Sequence, residues 1–274
     1  MCSNYEPVTL DDRLMAHFGV SRPSDVEPPE SAFPGLKAFF IRAEDKAELV
    51  VSQAQLGFFG YLPYFAKDLA FGRKTYNCKS ETMREKMAFK AAWFAGNRCL
   101  IPMERGFEWC YETGDPVRWA VKRSNGEPLC AAGLWGVWIG PQGEEILSFT
   151  MLTINADGHQ LFSRFNPPGD EKRMPVFLRL EDQQEWLNCP IDKAGDFIRQ
   201  FPAELLQAEP APAPWKPLPE PQEWELEPDM FAEEWHSAAA DPVARELNAR
   251  RKRPKPKVAK GPDDPGPTTG DLFG

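Results

Sequence analysis

Between residues 37 and 154 the chain is a succession of short apolar or alternating runs, each closed by Gly, Pro, Asn or a charge, and this rhythm limits the fold more than any other feature. Lys37–Arg42, Glu48–Gln53 and Gln55–Leu62 come first, and Pro63-Tyr64-Phe65 ends the third. Arg98–Pro102 leads through Met103-Glu104-Arg105-Gly106 into Phe107–Tyr111. After the turn at Gly114-Asp115-Pro116 come Val117–Lys122, Leu129–Ile139 and Ile146–Ile154. Runs this short, spaced roughly ten residues apart, read as strands of a closed or half-closed antiparallel sheet rather than βαβ units. Their Trp and Phe residues read as core. Helical spacing is confined to residues 9–20, where Leu10, Leu14, Met15 and Phe18 share a face, and to Met83–Ala95, capped by Ser80 or Thr82. Short helices are expected at Asp182–Leu187 and Lys193–Phe201. The fold class is therefore α+β, a largely antiparallel β pseudo-barrel with short flanking helices.

The character changes after residue 207, beyond which 13 of the 28 prolines fall, with little apolar periodicity. The expected organisation is a folded domain over residues 2–207 and a flexible, Pro-rich tail over residues 208–274. The tail carries a basic cluster, Arg250–Lys260, and ends near Leu272-Phe273. These suggest a tether to DNA or to a replication factor; the plain alternative is a solubilising tail. No run of roughly 18 apolar residues is present. The opening MCSNYEPVTLDDR is polar where a secretory signal needs an apolar stretch. A cytoplasmic protein away from membranes, and a monomer, is the expectation. Six cysteines without a C-x-x-C pair and three dispersed histidines, His17, His159 and His236, argue against a metal site, a cofactor and a disulfide framework. A net charge of −9 argues against nucleic acid, but the charge is segregated. Arg73-Lys74 and Lys79 share one stretch, Arg250–Arg253 form another, and much of the acidic excess lies towards the two ends.

Cys2 is the residue with the most distinctive chemistry. With Met1 removed it carries a thiol and a free α-amine on adjacent carbons. Their ordinary pKa values, about 8.5 and about 7.7–8.0, leave each a reactive fraction at neutral pH. A 1,2-aminothiol condenses with an aldehyde to a Schiff base, which the thiol closes into a thiazolidine. Read from position alone, Cys2 is an early cysteine in a frayed terminus.

Four features in order resemble the SOS-response-associated peptidase family of abasic-site shielding proteins. They are Met1-Cys2, Tyr76–Thr82 (similar to the family's Asn-Ala-Arg-Ser-Glu-Thr), Arg98–Pro102 followed by Gly106-Phe107-Glu108-Trp109, and Lys172–Val176 (similar to Arg-Met-Pro-Val). Gly57–Asp68 resembles the family's Trp-Gly-Leu-Ile-Pro segment. The resemblance implies that Cys2 crosslinks to the open aldehyde of abasic sites in single-stranded DNA, first as a Schiff base and then as a thiazolidine. It implies Glu108 as acid and base, and Asn77 as the group that holds the α-amine. Arg73, Lys74, Lys79, Arg84 and Arg173 would meet phosphates, and aromatics near Phe58–Phe65 would stack on a splayed base. Met1 would be lost to a host aminopeptidase or by autoproteolysis, and the protein would join the nucleoid when bound to DNA. Without the resemblance Glu108 reads as a strand residue, Asn77 as a turn residue and Lys79 as a solvated charge.

Three positions depart from the family pattern. The family's His, two residues before the Arg of Arg-Met-Pro, is replaced by Glu171, or by Asn166 if the loop Phe162–Asp170 shifts the alignment; His159 is the nearby histidine. Lys79 stands where the family has Arg and loses its bidentate fork. Asn4 stands where Arg is common. Weaker DNA contact and slower crosslinking would follow. Two other functions remain open: an N-terminal-nucleophile peptidase or amidohydrolase, and a DNA-damage binding protein whose catalysis has decayed.

Overall fold

The computed structural model describes residues 2–212 apart from 24–26, 28, 47 and 48. These belong to the first of two compact units, Met1–Pro214. The expected tail features, Arg250–Lys260 and Leu272-Phe273, lie outside the described residues.

In chain order the elements are β1 (Asn4–Pro7), α1 (Asp11–Phe18), β2 (Lys37–Lys46), β3 (Leu49–Phe59), β4 (Asn77–Lys79), α2 (Met87–Phe94) and β5 (Arg98–Cys110). Then come β6 (Val117–Arg123), β7 (Leu129–Ile139), β8 (Glu145–Asn155), β9 (Arg173–Pro175), α3 (Gln183–Asn188) and β10 (Leu206–Pro210). β2 pairs with β3, β3 with β8, β8 with β7, β7 with β5, and β5 with β2 again, so these strands close a barrel. β1 and β6 extend from β5, β10 from β6, and β4 and β9 flank β8. Among the described residues, only β3–β8 and β4–β8 are parallel. The fold is the α+β, mostly antiparallel barrel that the strand rhythm predicts.

Neighbouring residues of the barrel strands enter different cores. Phe40, Cys99, Ile101 and Met151 join Cys2, Tyr5, Phe59 and Phe149 in one cluster. Ile41, Leu100 and Leu152 join Leu14, Phe18, Trp93 and Trp186 from the three helices in another. Burial on both faces is why these strands read as apolar runs rather than strict alternation. Phe149 stacks between Phe40 and Phe59, with ring centroids 5.2 and 5.3 Å away.

Several boundaries differ from the expectation, each for a local reason. The second and third predicted runs are one strand, β3, which ends at Phe59. There Gly60 turns the chain at φ +139°, and a Cβ would lie 2.3 Å from the Gly72 carbonyl oxygen. Met103–Gly106 is no turn. Its residues pair with β1, and its charges are held from outside, Glu104 by Arg13 and Arg105 by Glu6. The helix expected from Met83 starts at Met87, because β4 pairs with β8 and the Ser80 N–H then donates to Thr153, drawing this segment into the sheet. Neither Ser80 nor Thr82 caps α2, whose N-cap is Lys86. α1 buries Leu14 and Phe18 but leaves Leu10 and Met15 exposed. β10 crosses the boundary expected after residue 207, pairing Ala208 with Val121 and Glu209 with Ala120. No helix among the described residues is long and apolar enough to cross a membrane.

Candidate active site

The β1–β5 ladder places the start of the chain. Asn4 lies opposite Phe107 and Tyr5 opposite Gly106, a register that carries Cys2 onto the Gly106–Glu108 stretch. Cys2 is 2% exposed, and its sulfur lies 3.5 Å from where a Cβ on residue 106 would stand. Asn77 arrives on β4, in register with Met151 of β8, and its Nδ2 donates to the Cys2 carbonyl at 2.9 Å. The resemblance assigned Asn77 to the α-amine; here its Nδ2 holds the carbonyl instead. Its Oδ1 is buried without a hydrogen-bond partner among the described residues.

Glu108 is 3% exposed. Burial raises its carboxyl pKa, opposed by the positive charge of the chain's amino terminus and, least, by the neighbouring Cys2 thiol, which itself donates to the Asn4 carbonyl at 3.5 Å. Cys2 in turn is pushed up to about 12, by burial first and by the Glu108 charge second. The sulfur is therefore a thiol at neutral pH, next to a carboxyl tuned towards its protonated form. Such a pair can pass a proton between sulfur, carboxyl and a bound electrophile.

The other expected residues fall into distinct environments. His159 is buried, its Nδ1 accepting from the Leu161 and Phe162 N–H groups at 3.1 and 3.0 Å and its Nε2 2.8 Å from the Phe201 carbonyl oxygen. Both ring nitrogens are committed to the backbone, so His159 is a structural histidine and its catalytic assignment is withdrawn. Arg173 is 3% exposed and donates to Glu81, Glu171 and Thr153, so it is an internal ion-pair hub rather than an open phosphate contact. Lys79 is exposed but ion-paired with Glu171. Arg73 and Lys74 are exposed at the end of a short 3-10 turn, Leu69–Lys74. Arg84 is exposed, its guanidinium 5.2 Å from the centre of the Trp93 ring. Of the aromatics at 58–65, Phe58, Phe59 and Tyr61 are core, Phe65 is half-buried, and Tyr64 is 81% exposed. Asn4 is buried, bonding Ser31, Ala32 and Arg118.

A cleft of about 390 Å³ lies beside β4, lined by Tyr76, Lys79, Asn166, Asp170, Glu171 and Arg173 among others; Cys2, Asn77 and Glu108 do not line it. Glu171 is held at a pKa of about 2, first by Lys79 and then by Arg173, so it is ionised at neutral pH and serves as no general acid. Two neighbours went unmarked by the sequence reading. Tyr76 packs edge-on against Phe59 at 6.0 Å. Trp109, beside Glu108, is 46% exposed. Asn166 has φ +65°, alone among the described non-glycine residues. The Asn-Pro-Pro-Gly turn signal at 166–169 was the available clue to its irregular backbone.

The sequence profile of the SOS response associated peptidase family matches residues 1–213. The abasic site processing protein YoqW of Bacillus subtilis is 33% identical over 145 residues, 52% of this chain and 60% of that protein. The abasic site processing protein HMCES of Xenopus tropicalis is 28% identical over 158 residues, 49% of this chain and 46% of that protein. The match thus spans less than two thirds of the length of these curated relatives. The crystal structure of a Bordetella bronchiseptica protein superimposes with a TM-score of 0.72 at 33% identity, covering 77% of this chain and 100% of that one.

Proposed function

The chain belongs to the SOS response associated peptidase family, and on that premise we propose that it processes abasic sites in single-stranded DNA by joining Cys2 covalently to the lesion. The names of the YoqW and HMCES relatives support abasic sites as the target. The observation that carries the mechanism is the position of Cys2: buried, close enough to Glu108 for each group to shift the other's pKa, and held at its carbonyl by Asn77.

With Met1 removed, the α-amine of Cys2 attacks C1′ of the open-chain deoxyribose. Asn77 Oδ1, unpaired among the described residues, accepts from that amine and holds it in line. Glu108 in its protonated form gives its proton to the departing hydroxyl, which leaves as water and yields a Schiff base. The thiol then adds to the imine carbon, its proton passing by way of Glu108 to the nitrogen. One water leaves in all, and a thiazolidine remains. Arg73, Lys74, Lys79 and Arg84 meet the phosphates, and Tyr64 offers a stacking face. The work takes place in the cytoplasm, on the nucleoid.

The peptidase reading needs a thiolate to attack an amide, and a thiol pushed up to about 12 disfavours it. The test is a denaturing gel after incubation with an abasic-site oligonucleotide. A heat-stable shifted band that disappears in Cys2→Ala is expected; no band, or one that survives Cys2→Ala, overturns the proposal.

A further inference from the structure

Side chains alternate along β4. Cys78 points into the core, and Asn77 and Lys79 share the opposite face, roughly 7 Å apart along the strand. The residue that holds Cys2 and the cation nearest to it along the strand are thus neighbours. Lys79 is already taken: its ammonium donates to Glu171 Oε2. The other oxygen of Glu171 accepts from Arg173 Nη1 at 2.7 Å. Arg173 is fixed in turn by Glu81 Oε2 at 2.8 Å and by the Thr153 carbonyl at 2.7 Å, and it is buried. An ordinary surface ion pair has two floppy partners. Here the carboxylate is clamped from inside, so its second oxygen is aimed at Lys79. The cleft wall sets Lys79 and Arg173 against Asp170 and Glu171, with Glu81 behind, and so offers no net positive charge to an approaching strand.

We propose that Glu171 is a built-in phosphate mimic: its carboxylate, clamped by Arg173, occupies the Lys79 ammonium in the free protein and must be displaced before a DNA phosphate binds there. This rests on the reading that single-stranded DNA is the substrate. Binding at Lys79 is then an ion exchange, carboxylate for phosphate, with little net gain. Ordinary single strands are held weakly, and retention falls to the covalent step at Cys2. The low pKa of Glu171 keeps the latch charged across the physiological range.

The test is equilibrium binding of the full chain by fluorescence anisotropy. The probes are a labelled single strand with a tetrahydrofuran abasic analogue, which has no aldehyde and forms no crosslink, and the undamaged strand of the same sequence. Glu171→Gln keeps an oxygen for Arg173 but loses the charge. It is expected to bind both strands about two- to fivefold tighter, the range that one exposed ion pair commands. The slope of log K against log salt should steepen by about 0.7, one more single-strand phosphate neutralised without an exchanged carboxylate. In a Lys79→Met background the gain should vanish. Unchanged or weaker binding by Glu171→Gln, or a gain that persists without Lys79, overturns the latch. Because the analogue bypasses Cys2, a failed crosslink in the gel assay would strike the proposed chemistry and leave this result standing.

Discussion

Replacing Arg173 by methionine separates two roles for this residue. A phosphate contact would lose DNA affinity and little stability; the internal hub would lose stability first. The guanidinium is 3% exposed and donates to Glu81, Glu171, and the carbonyl and hydroxyl oxygens of Thr153. Removing one partner of a fully buried ion pair costs about 3–5 kcal/mol. The Glu81 and Glu171 side chains are 42% and 40% exposed, so they rehydrate in the variant and their share must be discounted for screening. The Thr153 oxygens are buried and do not rehydrate. About 2–3 kcal/mol remains, from the lost charge-assisted bonds to Thr153 and from the lost fit of the guanidinium, although the Thr153 carbonyl keeps the Ser80 N–H and its hydroxyl keeps the Cys78 carbonyl. For a folded unit of this size each kcal/mol moves Tm by roughly 2–4 °C, so calorimetry at pH 7 should show a fall of about 4–12 °C. The pH dependence adds a check. The Glu171 pKa is depressed to about 2, so its stabilising effect is present above the ordinary carboxylate value of 4.5 and is lost as pH falls through about 2. The gap between wild type and variant should therefore narrow on acidification. A Tm within about 1 °C of wild type at pH 7, together with a loss of DNA affinity, would refute the hub and restore the phosphate contact.

Three further substitutions probe the remaining groups. Burial raises the pKa of Glu108, so the fold loses stability as pH rises through that raised value; Glu108→Gln should have the higher Tm at pH 7, an advantage that disappears below pH 4.5, while crosslinking slows. A lower Tm at pH 7, or unchanged crosslinking kinetics, contradicts the assignment. Asn77→Ala deletes the 2.9 Å bond to the Cys2 carbonyl, a loss of about 0.5–1.5 kcal/mol in stability, with the crosslinking rate falling on the order of tenfold if the amide also positions the amine. An unchanged rate in the gel assay means that β1 alone positions Cys2. His159→Phe strands the Leu161 and Phe162 N–H groups and the Phe201 carbonyl, and should lower Tm while leaving the crosslinking rate intact well below the melt. A rate that collapses in folded protein would return His159 to the chemistry.

Strands that carry their own signal were legible. β6, β7 and β8 lie within a residue of their expected limits, because turn residues bracket long apolar runs. β1, β4 and β10 were not. They hold three to five residues each, Asn4–Pro7 shows no alternation, and their partners on β5, β8 and β6 are far away in sequence. Pairing of this kind is decided by tertiary context. Aromatic clustering at 58–65 could not separate the core ring of Phe58, 2% exposed, from Tyr64, 81% exposed. At the candidate site, motifs in a known order pointed to Cys2, Asn77 and Glu108, which periodicity alone passes over, and the structure brings the three together. The bond that Asn77 makes was not legible, since a backbone carbonyl leaves no mark in sequence. Arg173 and His159 misled because residue type announces chemistry and says nothing of burial.

The position of Cys2 explains why this fold invests so heavily in β5. The first residues of a chain fray unless they are tied down, and the nucleophile proposed at residue 2 could not fray and still meet a fixed carboxylate. β1 is bound on one side by its ladder to β5 and on the other by the Tyr5–Ala32 bridge. The Asn4 side chain adds bonds to Ser31, Ala32 and Arg118. Tyr5 is fully buried, its ring edge-on to Phe59 at 5.4 Å. β5 also carries Glu108 and pairs with β2, β6 and β7 as well as β1, so the carboxylate rides on a strand with four partner strands. Displacing Cys2 relative to Glu108 therefore means breaking main-chain pairing rather than turning a side chain. The departure at residue 4 takes on a different meaning in this frame. Asn4 faces inward and fastens β1 to Ser31, Ala32 and Arg118, so it holds the strand that places Cys2.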